Sequence, residues 1–153
     1  MDDGPELFHG TCVALGRTAA LLRGPSGSGK SDLALRFLFL ARRNPAALEA
    51  PILVADDQVY LTRKSGRLLA RAPESIRGRI EVRGVGIVDV KSLPEADLAL
   101  VVDLVPAAQV ERLPEADGTA DLLGVEVPLL RLCPWEASAP IKLAVALARA
   151  KHS

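Results

Sequence analysis

Eight consecutive residues, Gly24-Pro25-Ser26-Gly27-Ser28-Gly29-Lys30-Ser31, satisfy the pattern G-x-x-x-x-G-K-[ST] at every defined position. Each residue type answers a separate need of a bound polyphosphate. Gly27 and Gly29 can take backbone angles closed to other residues and let N–H groups approach phosphate oxygens. Lys30 supplies a point charge for the outer phosphates, and Ser31 a hydroxyl for Mg²⁺. A helix after the loop aims its positive end at the same anion. These residues predict a nucleoside triphosphate site with ATP and Mg²⁺ as ligands. They leave the reaction open, because the same loop serves kinases, hydrolases and switches.

The chemistry also needs a carboxylate near the metal or the attacking group, usually at the end of a neighbouring strand. Two places qualify: Asp56-Asp57 after Ile-Leu-Val-Ala, and Asp103 after Ala-Leu-Val-Val. Either could be no more than a strand-end turn or a helix cap. Adjacent carboxylates repel, so a doublet calls for a cation or a shared proton. Mg²⁺ would meet that need and leave one acid free as a base toward a substrate hydroxyl. The doublet is therefore the favoured partner of the loop.

The elements that must position these groups can be read from the pattern. Residues Thr11–Leu15 and 18–22 are apolar runs separated by Gly16-Arg17, a β-hairpin that delivers the chain to Gly24. Residues 32–43 form a Leu-, Ala- and Phe-rich helix, apolar around most of its circumference and so expected to be largely buried. Residues 52–55 are a buried strand, and 58–62 with 67–70 a hairpin about Lys64-Ser65-Gly66. The stretch 79–90 mixes charges and glycines with β-branched residues and takes no clear assignment. Residues 98–102 are a further strand, 104–121 a polar loop with some local helix, Val125–Leu132 a last strand, and 140–151 a last helix, with Pro140 in its first turn. The fold class is α/β: one P-loop domain over 1–153, a mixed central sheet flanked by helices.

A chain of 153 residues with 49% hydrophobic residues can bury a real core. Its zero net charge gives no chain-wide signal for nucleic acid or an anionic membrane. The acidic start is unlike a signal peptide, and apolar runs stop short of a membrane span, so a soluble cytoplasmic protein is expected. Cys12 and Cys133 fit no metal spacing and are expected to be buried thiols.

At this level of detail the chain resembles the catalytic domain of HPr kinase/phosphorylase. The resemblance rests on His9-Gly10 before a hairpin, the loop GPSGSGKSD, Ala55-Asp56-Asp57, and above all Ile80-Glu81-Val82-Arg83-Gly84-Val85-Gly86-Ile87-Val88-Asp89-Val90. A looser match covers Glu111-Arg112-Leu113 and the C-terminal helix. The resemblance implies a kinase that uses ATP and Mg²⁺ to phosphorylate a serine of an HPr-type phosphocarrier protein. It implies that His9 stands beside the catalytic site, that Lys30 and Ser31 contact phosphate and metal, and that Asp57 is the catalytic acid/base. It further implies Glu81 as a second metal ligand and Arg112 as an arginine at the reacting phosphate. From the residues alone, Glu81 and Arg83 could equally be the solvent face of a strand, and Arg112 an ordinary exposed arginine.

Two departures from the family pattern matter. The match begins within the first ten residues, where full-length members carry an additional N-terminal domain. The segment before the last helix reads Leu130-Arg131-Leu132-Cys133-Pro134-Trp135-Glu136-Ala137-Ser138-Ala139-Pro140 and lacks the Pro-Gly-Arg loop that longer members use for dephosphorylation. Phosphorylase activity and the homo-oligomer known for the longer members therefore stay open. Asp32 stands where Glu is commoner, which keeps the charge at the helix start. A small-molecule P-loop kinase, which gives the stretch from Ile80 to Ile87 no role, and a non-enzymatic nucleotide-binding regulator, in which the doublet and Glu81 hold metal without a substrate, are the competing readings.

Overall fold

The computed structural model describes residues 2–40, 49–113 and 118–151. The architecture grows from β3 (Thr18–Arg23), whose Ala19, Ala20, Leu21 and Leu22 are all fully buried. A strand apolar on both faces must lie between two layers. On one side β3 pairs antiparallel with β2 (Thr11–Leu15) through the Gly16-Arg17 turn, and β2 pairs in turn with β4 (Pro51–Ala55). On the other side it pairs in parallel with β9 (Ala96–Leu104). The far edge of β9 is shared: its start meets β6 (Arg67–Arg71) antiparallel, and its end meets β11 (Val125–Leu132) in parallel. Beyond β6 come β5 (Gln58–Lys64) and β1 (Asp3–His9), giving the order β1-β5-β6-β9-β3-β2-β4. β10 (Thr119–Leu122) pairs with β11. A separate two-stranded hairpin, β7 (Arg79–Val82) with β8 (Gly86–Asp89), stands outside the main sheet.

Alternate residues of β2 and β3 enter two different apolar clusters. Val13, Leu15, Ala20 and Leu22 face helices α1 (Lys30–Leu38) and α2 (Ala139–Lys151), meeting Leu33, Phe37, Leu143 and Leu147. Cys12, Ala14, Ala19 and Leu21 face the other way, where strands close over them through Leu61, Leu68 and Leu122. The sheet is mixed as expected, but both described helices lie on one face. Fully burying a side chain such as Phe37 stabilises the fold by roughly 1.5–3 kcal/mol.

Several expectations need adjusting. α1 begins at Lys30 and ends at Leu38, and the end of the expected span, 41–43, lies outside the described residues. It buries one face, Leu33, Ala34 and Phe37, while Phe39 beyond its end is 72% exposed. The unassigned stretch 79–90 is the β7–β8 hairpin, turned at Gly84 and Gly86 with φ of 87° and 125°. β9 runs from Ala96 to Leu104, longer at both ends than expected. Part of the expected 104–121 loop is strand β10, whose Ala120 and Leu122 alternate with exposed Thr119 and Asp121. A single 3₁₀ turn, Ala107–Gln109, supplies the local helix. β1 is an unexpected edge strand, and α2 starts at Ala139 with Pro140 in its first turn. No helix among the described residues is long and apolar enough to cross a membrane.

Candidate functional site

The buried polar or charged residues among those described are Thr11, Lys30 and Asp56, and all three converge at the start of α1. Burying such groups is costly unless each is hydrogen-bonded, so their concentration in one place points to function. β3 ends at Arg23 and the loop turns back with Gly27 and Gly29 at φ of 81° and 96°, angles that favour glycine. Lys30 folds back over this turn. Its Nζ donates to the carbonyl oxygens of Gly24 (2.6 Å) and Pro25 (3.0 Å), which holds the ammonium at the loop mouth.

Asp56 leaves the end of β4 7% exposed. Its Oδ1 accepts from Ser31 Oγ (2.6 Å) and from Thr11 Oγ1 (3.1 Å), and its Oδ2 from the Glu81 N–H (3.1 Å). Three donors offset part of the cost of burying the carboxylate. None of the ion pairs among the described residues includes Asp56. The first member of the doublet is thus tied to the metal-type hydroxyl of the phosphate loop.

Asp57 has the opposite environment. It is exposed, sits at φ 69°, and forms the centre of a three-residue turn closed by the Gln58 N–H to the Asp56 carbonyl (2.8 Å). The conformation is held from both ends. The Asp57 N–H donates to Thr11 Oγ1 (3.2 Å), and the Gly10 N–H to the Asp57 carbonyl (2.9 Å). Backbone strain fixed by its surroundings in this way is common where a side chain must be presented for chemistry. His9, at the end of β1, places Nδ1 3.7 Å from Asp57 Oδ1, with both side chains largely exposed.

A cavity of about 370 Å³ opens at this junction. Ser26, Gly27, Gly29, Lys30, Ser31 and Asp32 form its floor, Asp57, Glu81, Val82 and Arg83 one wall, and Leu35 and Trp135 the remainder. The β7–β8 hairpin brings Glu81 here because its backbone is anchored to Asp56. The donor set fits Mg²⁺, which is bound through one or two carboxylates together with phosphate oxygens and water. No group of three or more His, Cys, Asp or Glu side chains among the described residues forms a ready-made metal cage. Ser31 and Asp56, with Glu81 nearby, would complete coordination only with a bound phosphate.

Of the residues singled out in the sequence, the structure gathers Lys30, Ser31, Asp57 and Glu81 in the cavity, with His9 beside Asp57. Arg112 is not brought there. It lines a second hollow of about 520 Å³ with Leu129 to Leu132 of β11 and Ile141, Lys142 and Val145 of α2. The chain leaves β9 through Pro106 and a 3₁₀ turn, Ala107–Gln109, before it reaches Arg112. Asp103 is bound to Arg23 through two hydrogen bonds, Nε–Oδ1 2.8 Å and Nη2–Oδ2 3.1 Å. Sequence reasoning passed over Thr11, Arg83 and Trp135 as site residues and left Asp56 without a role. A threonine heading a buried run, two residues after His9, was the available signal for Thr11. Cys12 and Cys133 are buried free thiols, and burial pushes Cys12 up to about 12.

The chain is similar to several known proteins. A family model described as the HPr Serine kinase C-terminal domain matches residues 5–150. The HPr kinase/phosphorylase of Caldicellulosiruptor bescii is 40% identical over 133 residues, covering 80% of this chain and 40% of that protein. The HPr kinase/phosphorylase of Chloroherpeton thalassium is 34% identical over 136 residues, covering 82% and 37%. The chain thus spans about two fifths of the length of these curated relatives. The structure of the Hpr(Ser) kinase/phosphatase from Coxiella burnetii superposes with a TM-score of 0.73 at 21% identity, covering 96% of each chain, a likeness of fold.

Proposed function

The chain belongs to the HPr Serine kinase C-terminal domain family, and from that premise we propose that it is an ATP- and Mg²⁺-dependent kinase for a serine of an HPr-type phosphocarrier protein. The observation that carries the reading is the division of labour in the doublet. Asp56 is buried on Ser31, while Asp57 is exposed beside Lys30 in the same cavity. That division suits one acid to hold metal and the other to meet an incoming hydroxyl.

In this reading the phosphate loop and Lys30 hold the triphosphate, and Ser31, Asp56 and Glu81 would hold Mg²⁺, which would supply charge neutralisation at the phosphates. The carrier serine enters from the open side, where Asp57 and His9 are exposed. Its oxygen forms a bond to the γ-phosphorus as the bond to the β–γ bridging oxygen breaks, and its proton passes to the Asp57 carboxylate. Lys30 offsets charge at the departing ADP. His9 orients Asp57. The segment 133–139 replaces the Pro-Gly-Arg loop of longer members, so the proposal covers transfer to the carrier and not its reversal. A cytoplasmic location belongs to the same proposal.

Incubation with γ-labelled ATP, Mg²⁺ and a purified HPr-type carrier, followed by mass mapping, tests this reading. Label on one carrier serine supports it. Label confined to a small metabolite, or tight nucleotide binding with no transfer, overturns it in favour of one of the competing readings.

A further inference from the structure

Trp135 is the single tryptophan of the chain, and it stands at the phosphate loop as a residue 65% exposed. Burial in a core therefore does not account for it. The backbone on either side of the ring is nonetheless pinned. Arg36 of α1 donates from Nη1 to the Glu136 carbonyl (3.3 Å) and from Nη2 to the Pro134 carbonyl. Arg36 is itself held by Asp32 one turn earlier (Nε–Oδ2 3.0 Å), and Glu136 pairs with Lys142 of α2 at 3.2 Å. The ring lies close to the loop. A Cβ added at Gly29 would stand 3.1 Å from both Trp135 Cη2 and Pro134 Cγ, so Gly29 serves this approach as well as the turn.

The topology sets the ring and the acids on opposite flanks of the loop. β4, which ends in Asp56-Asp57, lies beyond β2 on one side of β3; β11, which leads into Trp135, lies beyond β9 on the other. A nucleotide whose γ-phosphate meets Asp57 and Lys30 extends away from the acids. The loop N–H groups take its inner phosphates, and the base reaches the β11 flank. There Trp135 lines the same cavity as Lys30 and Ser31. A rigid, open aromatic face is what a base needs, since every base offers a π-face of its own.

We propose that Trp135 is the stacking platform for the base of the bound nucleotide, carried on the segment that stands where longer members have Pro-Gly-Arg. This rests on the nucleotide reading given above and adds the residue that holds the base. The alternative for an exposed aromatic, a contact with the carrier protein, is separated by experiment.

Because the chain has one tryptophan, its fluorescence is a direct reporter. The full chain is titrated with Mg-ATP and with Mg-tripolyphosphate, which lacks the base, and each titration is repeated by calorimetry. ATP is expected to change the emission, and tripolyphosphate to bind without doing so. Trp135→Ala should weaken ATP on the order of tenfold, Trp135→Phe much less, and neither should alter tripolyphosphate affinity. If Trp135→Ala binds ATP like wild type while Lys30→Ala does not, the inference fails and the nucleotide reading stands. Equal losses for ATP and tripolyphosphate would reduce the ring to a loop support, and a raised carrier KM with unchanged ATP affinity would assign it to the carrier; either result overturns the inference. No binding of ATP to wild type removes both.

Discussion

The ends of β4 and β9 look alike in sequence, each an apolar run closing on aspartate, yet the two sites have opposite electrostatics. Asp103 meets Arg23 on the neighbouring strand in a two-point ion pair, and its charge is already matched. Asp56 is more deeply buried and, among the described residues, accepts from two hydroxyls and one backbone N–H. Asp57 next to it is exposed, held in a strained turn, and faces the phosphate loop. A strand-end acid thus becomes a candidate for chemistry when its partners are neutral donors that orient it without cancelling its charge.

Substitutions at the two strand ends should separate them sharply. Asp57→Asn removes the base, and transfer to the carrier should fall by about 10²–10⁴, with nucleotide affinity measured by calorimetry little changed. Asp56→Asn should cut Mg²⁺-dependent nucleotide binding, read as a loss of the difference between titrations with and without Mg²⁺. Its effect on transfer should be smaller than that of Asp57→Asn at saturating metal.

Thr11 links the two acids, so Thr11→Val removes one of the three donors to Asp56 and leaves the Asp57 N–H without its acceptor. A destabilisation of about 1–3 kcal/mol in urea unfolding is expected, together with lower kcat at unchanged nucleotide affinity. Thr11→Ser should restore both. Asp103→Asn breaks a pair that is about a third exposed, and should cost about 1 kcal/mol or less while sparing transfer.

The smallest effect concerns Cys12. Its folded pKa, pushed by burial from 9.0 to about 12, means the folded state keeps a proton that the unfolded chain releases above pH 9. Stability should therefore fall as pH rises above 9, and Cys12→Ala should flatten that decline in urea titrations.

Much of this contrast was written in local pattern. The phosphate loop, the β2–β3 hairpin and α2 could be read because glycine, apolar runs and proline placement are short-range signals. β10 was hidden because four alternating residues inside a polar segment give little weight against loop. β1 was hidden because its pairing with β5 is mostly backbone and its side chains are exposed. The role of Thr11 depends on β2 and β4 lying side by side, with Cys12 opposite Ala55. No spacing in the chain records that neighbourhood. The same limit applies to Arg112, whose place beside β11 and α2 depends on how the chain leaves β9.

The most direct test is single-turnover transfer from γ-labelled ATP to the carrier by wild type, Asp57→Asn and Asp103→Asn under identical nucleotide saturation. The account predicts that Asp103→Asn labels the carrier like wild type while Asp57→Asn, though loaded with ATP, labels almost none. Near-normal labelling by Asp57→Asn, or equal losses in the two variants, would contradict it.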